Sequence, residues 1–185
     1  MTKFLWLGVL FLSMFPTAAF ADAAADREKI QVMRKATLTR LYKEEPGAKT
    51  EVEKAEGYAV FSSGGVNVVL FSAAYGSGVV HDNKSSRDTY MKMGSGGVGF
   101  GLGVKDYRLV FVFRTRKALN QFVEHGWDLS GQADVAVKAG TEGAELSEAA
   151  AVMPGVKVYQ LTESGLALQA TIQGTKYWTS DALNK

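Results

Sequence analysis

Apolar residues recur at two different periods along this chain, and the change of period divides it. Residues 4–15 are almost wholly apolar or small, with Lys3 as the one charge ahead of Asp22. From Asp22 onward, Ile30, Met33, Thr37, Leu38 and Leu41 fall near helical spacing, and Pro46-Gly47 ends the pattern; this predicts an amphipathic helix. From Gly57 the texture becomes that of strands. Apolar, β-branched and aromatic runs at 58–61, 66–72, 79–80, 89–93 and 98–104 are punctuated by Gly64-Gly65 and by Ala73-Ala74-Tyr75-Gly76. The clearest alternation is 107–115. Its odd positions carry Tyr107, Leu109, Phe111 and Phe113, and its even positions carry Arg108, Val110, Val112 and Arg114. Such alternation puts one strand face in a core, and Lys105-Asp106 ahead of it reads as a hairpin turn. A short helix is expected over 117–124, capped by His125-Gly126. Further strands are expected at 133–139, 156–161, 167–172 and 176–178, and 140–151 reads as a surface helix or a loop. The fold class that follows is α+β: one antiparallel, β-rich domain, a sheet or small barrel, with an N-terminal helix and one or two short helices packed on it.

The N-terminal run changes the picture of where the chain works. A short basic start, an apolar stretch and small residues at Ala19 and Ala21 form the pattern of a secretory signal peptide cleaved after Ala21. The apolar stretch is shorter than the roughly 20 residues that span a bilayer. The expectation is residues 1–21 as leader, residues 22–185 as a single domain, and a periplasmic location. The sequence contains no cysteine, so the exported domain is held by packing rather than disulfides and lacks the thiol that lipoprotein anchoring requires.

Composition removes several function classes. With 21 basic and 19 acidic residues the chain is nearly neutral, which gives no electrostatic reason to expect nucleic acid. Its two histidines, His81 and His125, show no metal-ligand spacing, and neither a G-x-S-x-G elbow nor a cysteine nucleophile is present. Gly94 to Gly99 spells G-x-G-x-x-G, but a dinucleotide site needs a helix immediately after it, and Phe100 to Val104 continues as strand-like alternation. Asn83-Lys84-Ser85 has the pattern of a glycosylation sequon. No enzyme, cofactor or metal is expected.

Two features point towards a surface-binding role. Gly97, Gly99, Gly101 and Gly103 alternate with apolar residues and so place bare backbone on one strand face. That face receives either a packed element or an apolar ligand such as a lipid chain. Basic residues are the second feature. Lys29, Arg34, Lys35 and Arg40 lie on the first helix, and Lys92, Lys105, Arg108, Arg114 and Arg116 lie in a basic stretch, with the last three expected on one side of the strand. The helix reads first as a packed helix with a solvated charged face; the alternative is a basic amphipathic helix on an anionic membrane, which Glu28, Glu44 and Glu45 weaken by diluting the charge. The sheet cations read as a solvated face or as a lipid contact worth about 1 kcal/mol per residue.

The chain resembles the SYLF-domain family. The matching stretches are 55–61, 74–80, 96–101, 109–113 with Leu119 and Phe122, then Gly126-Trp127, Val158-Tyr159, Gly165-Leu166 and Gly174-Thr175-Lys176. The resemblance implies phospholipid binding without known catalysis, and actin binding in some relatives. Ser62 stands where family members often carry proline. Export would separate this chain from actin and leave an anionic phospholipid or membrane surface as the partner. The alternatives are an outer-membrane β-barrel, which glycine and aromatic alternation permits, and an envelope scaffold without a ligand. The oligomeric state is not specified by the sequence.

Overall fold

The structure, a computed structural model, describes residues 17–68, 71–98, 106–128, 154–162, 165–167 and 175–185. Helix α1 (Thr17–Glu44) runs through position 21. Pro46 stops it, as the pattern predicts, but also starts a second helix, α2 (Pro46–Lys54). Proline suits a first helical turn, where its missing N–H has no partner to lose. The strands are β1 (Gly57–Val68), β2 (Phe71–Asp82), β3 (Asp88–Val98), β4 (Asp106–Phe113), β5 (Trp127–Asp128), β6 (Val156–Thr162), β7 (Gly165–Ala167) and β8 (Thr175–Thr179). Helix α3 (Arg116–His125) follows β4, and a 3-10 turn, Asp181–Leu183, follows β8.

These strands form one antiparallel sheet in the order β5-β8-β3-β2-β1-β4-β6-β7. The α+β antiparallel architecture expected from the sequence is the one observed. The Gly64-Gly65 and 73–76 segments, expected to interrupt strands, lie inside β1 and β2. Strand β4 pairs with β1 on one side and β6 on the other. Asp106 of the turn expected at Lys105-Asp106 is the first residue of β4, and Lys105 with the segment before it lies outside the described residues. The expected 133–139 strand and the 140–151 segment lie outside the described residues.

Strand β4 shows why one buried face was too few. Leu109, Phe111 and Phe113 enter a core with Ala59, Phe61, Val80, Met91, Met93, Phe122 and Tyr177. Val110 and Val112, on the opposite face, are also fully buried, against Leu41, Ala48, Val52 and Val60. Helices α1 and α2 cover that second face. They occupy the surface that a membrane barrel would turn to lipid. Among the described residues, no helix is long and apolar enough to cross a membrane.

Local chemistry fixes the helices. Thr37 is fully buried on α1, and its hydroxyl donates to Met33 O one turn back at 2.8 Å, so a polar residue sits on the packed face without an unmade bond. Thr115 caps α3 by accepting from Ala118 N at 3.3 Å. Gly126 ends α3 at φ 65°, with its N–H on Phe122 O at 3.0 Å, the left-handed cap expected from His125-Gly126.

Candidate functional site

The helix-covered face of the sheet carries most of the charge chemistry, and three clusters tie helices to strands. Asp88 accepts from Arg34 Nη1 at 3.0 and 3.1 Å and from Gln31 Nε2 at 2.8 Å, and His81 Nδ1 lies 2.6 Å from it. This group fastens α1 to the ends of β2 and β3. Arg116 bridges Asp82 and Glu56, each at 2.7 Å, and Lys84 reaches Glu56 at 2.8 Å. Glu51 on α2 meets Lys157 at 2.7 Å, the Tyr159 hydroxyl at 3.1 Å and Arg114 at 3.7 Å.

These partners set the protonation of the carboxylates. The Arg116 hydrogen bond holds Asp82 well below the usual carboxylate range. Burial pushes Asp88 up, but His81, Gln31 and the Arg34 charge outweigh it and leave the carboxyl lowered. Burial likewise raises Glu51, and Lys157, Tyr159 and Arg114 overcome it. A carboxyl with a depressed folded-state pKa contributes stability above its unfolded value and loses it as pH falls through the folded value. Thermal melts are therefore expected to hold steady from neutral pH to about pH 5 and to fall steeply below about pH 4. Asp88→Asn should melt lower at pH 7 and lose less on acidification; an unchanged acid limb in that variant would remove Asp88 from the account.

The cations singled out in the sequence are thereby sorted. Arg34, Arg114 and Arg116 belong to the clusters above. Arg40 pairs with Glu44 at 2.7 Å and donates to Thr162 O at 2.6 Å. Arg108 donates to Thr37 Oγ1 at 3.3 Å, beneath α1. Arg116 stands on α3 rather than beside Arg108 and Arg114 on one strand face, because β4 ends at Phe113. Lys29 pairs with Asp26 at 2.9 Å on the surface. Lys35 and Lys92 are exposed, with no side-chain hydrogen bond or ion pair among the described residues. Gly97 lies in β3 opposite Ser72; Gly99, Gly101, Gly103 and Lys105 lie outside the described residues. Gly94 to Val98 is strand; Gly99 and the 100–104 segment, on which the dinucleotide reading turned, lie outside the described residues. Asn83 of the sequon donates to Val52 O at 2.8 Å and Ala55 O at 2.9 Å, a structural use of its amide.

Where α1 leaves the sheet uncovered, a different surface begins. Tyr75 on β2 is 71% exposed and Trp178 on β8 is 38% exposed. Both border Gly94 on β3. The far edge of the Trp178 indole comes to 3.2 Å, and the Tyr75 ring to 3.7 Å, of the place a Cβ would occupy there. A groove of about 490 Å³ lies alongside, lined by Lys29, Ile30 and Met33 of α1 and by Ser62, Tyr75, Gly76 and Ser77 of the sheet. Sequence reasoning passed over Tyr75, Trp178 and the two serines. The available signal was the alternation Tyr75, Ser77, Val79, His81, which puts all four on one face of β2. Among the described residues, no three acidic or imidazole groups are grouped to hold a metal ion.

Residues 94–185 match the family model Ysc84, described as "Las17-binding protein actin regulator". The chain is 39% identical over 159 residues to a protein of Aeromonas veronii named "Beta cell expansion factor A", a match covering 86% of this chain and 59% of that relative. The chain thus spans about three-fifths of the length of the curated relative it matches.

Proposed function

Through residues 94–185 the chain belongs to the Ysc84 (SYLF) family, and from that premise we propose that it is an exported, non-catalytic module that docks on anionic phospholipid surfaces. The observation that carries this reading is the end of the sheet that no described helix covers, where exposed Tyr75 and Trp178 sit with Lys92 and Lys29. Tyrosine and tryptophan pair an apolar body with a polar tip and favour the headgroup layer. Each nearby lysine adds about 1 kcal/mol on an anionic leaflet. The leader pattern of residues 1–21 supports export, and export sets the family's actin association aside for this chain.

Co-sedimentation of the purified protein with phosphatidylglycerol vesicles tests the proposal. Binding is expected to exceed that to phosphatidylcholine vesicles and to weaken as salt rises. Equal retention, or none, on the two kinds of vesicle would overturn it. Export is tested separately: the protein recovered from a periplasmic fraction should begin at Asp22.

A further inference from the structure

We propose that the groove between α1 and the uncovered end of the sheet binds a phosphorylated sugar ring, the headgroup of an anionic glycolipid; this deepens the lipid-docking reading and rests on it.

Strand register brings the polar groups together. Arg108 on β4 lies opposite Ser62 on β1, Ser62 opposite Ser77 on β2, Ser77 opposite Lys92 on β3, and Lys92 opposite Trp178 on β8. Directly opposed residues of an antiparallel sheet share a face, with Cβ atoms about 5 Å apart. Five adjacent strands therefore present, in one row, a cation, two hydroxyls, a second cation and an indole. The two serines also line the groove, and α1 places Lys29 over it. Two hydroxyl donors lie between exposed Lys92 and the Arg108 guanidinium, which also donates to Thr37; such a row matches an anion with several oxygens, and a charge-assisted hydrogen bond is stronger than a neutral one. Among the described residues no carboxylate pairs with Lys92, so none there would have to be displaced by the anion. Among the described residues Lys29 pairs with Asp26 at the surface, with Asp22 acting on it from further away.

The neighbouring row supplies the second half of the site. Tyr75 lies opposite Gly94, two positions along from Ser77 and Lys92. Since Gly94 has no side chain, the Trp178 indole extends across it towards Tyr75 and lies along the sheet instead of standing out from it. A ring laid along the sheet at headgroup depth offers a stacking surface. The apolar C–H face of a pyranose stacks on such a ring, while its hydroxyls turn towards polar groups. The groove, at about 490 Å³, falls in the size range of small-molecule sites. Ile30 and Met33 give it an apolar wall, suited to the first methylenes of a lipid chain.

Titrating the purified protein with glucose 1-phosphate, glucose and inorganic phosphate, followed by calorimetry, reads the headgroup chemistry. The sugar phosphate is expected to bind on the order of tenfold more tightly than either part alone. Tyr75→Ala and Lys92→Ala should each weaken it by about fivefold or more, while Lys35→Ala, on an exposed turn of α1, should leave it unchanged. Phosphatidylcholine vesicles carrying a phosphorylated glycolipid should capture more protein than vesicles carrying phosphatidylglycerol at equal charge. If the two vesicles bind equally and Tyr75→Ala does not alter their ratio, the groove assignment fails and lipid docking stands. If neither binds, both readings fail. If free glucose 1-phosphate binds but the glycolipid gives no advantage, the lipid source is overturned.

Discussion

Phe111→Ala is expected to remove about 3–5 kcal/mol of folding stability, a large share of the roughly 5–15 kcal/mol that holds a domain of this kind. Phe111 is fully buried at the centre of β4. Its ring lies 5.9 Å from Phe61, 5.8 Å from Phe122, 5.7 Å from Trp127 and 5.4 Å from Tyr177, centroid to centroid. Three of those contacts are edge-on, the geometry that aligns a positive ring edge with a negative ring face. Truncation forfeits the transfer energy of the ring and leaves a cavity among four other rings that cannot all collapse into it. Strands β1, β5 and β8 and helix α3 lose a common partner at once. Urea unfolding followed by tryptophan fluorescence gives the measurement, with Trp127 reporting from beside the lesion. Phe111→Leu, which keeps most of the volume, should cost about 1.5 kcal/mol or less. A Phe111→Ala midpoint within error of the parent would mean that this cluster does not organise the core.

That core was legible because β4 announces it. Its odd positions are large and apolar without interruption, and no other segment of the chain alternates as cleanly. The even positions were misread for a physical reason. Arg108 and Arg114 flank Val110 and Val112, and the charges at the two ends suggested a solvated face. Burial of the middle by α1 and α2 is a tertiary fact, and a strand's own sequence does not say what will cover it. The second helix was missed by treating Pro46-Gly47 only as a stop, although proline is as much at home in a first helical turn as after a last one.

The candidate site divided in the same way. Arginine-rich stretches were visible, but long guanidinium side chains serve equally to clamp elements together. Arg34, Arg40, Arg114 and Arg116 find carboxylates contributed by distant segments or by the next turn. No local pattern reveals that Asp88 will stand opposite α1. The row from Arg108 to Trp178 was hidden more deeply, because it is assembled from five strands and exists only once their register is fixed. A single-residue slip would turn each member to the other face.

Glycine on a strand face signals close approach, and that logic applies most sharply at Gly78. Gly78→Ala is expected to cost about 3 kcal/mol. Gly78 lies in β2 opposite Phe61 on β1 and Met91 on β3, on the fully buried core face. A Cβ there would press on the carbonyl oxygen of Val60 and on the Phe61 ring. The carbonyl belongs to the paired strand, and the ring is packed against Phe111, Phe122 and Tyr177. Neither can retreat without disturbing the register or the aromatic cluster. Gly94→Ala supplies the contrast. Its nearest neighbour would be the rim of the half-exposed Trp178 indole at 3.2 Å, which can lift away, so its unfolding midpoint should stay close to that of the parent. The two variants add the same methyl group to neighbouring strands of one sheet. A large loss for Gly78→Ala with little for Gly94→Ala would locate the requirement for bare backbone under the aromatic core. Equal losses would mean that the sheet, rather than what packs on it, resists the added carbon.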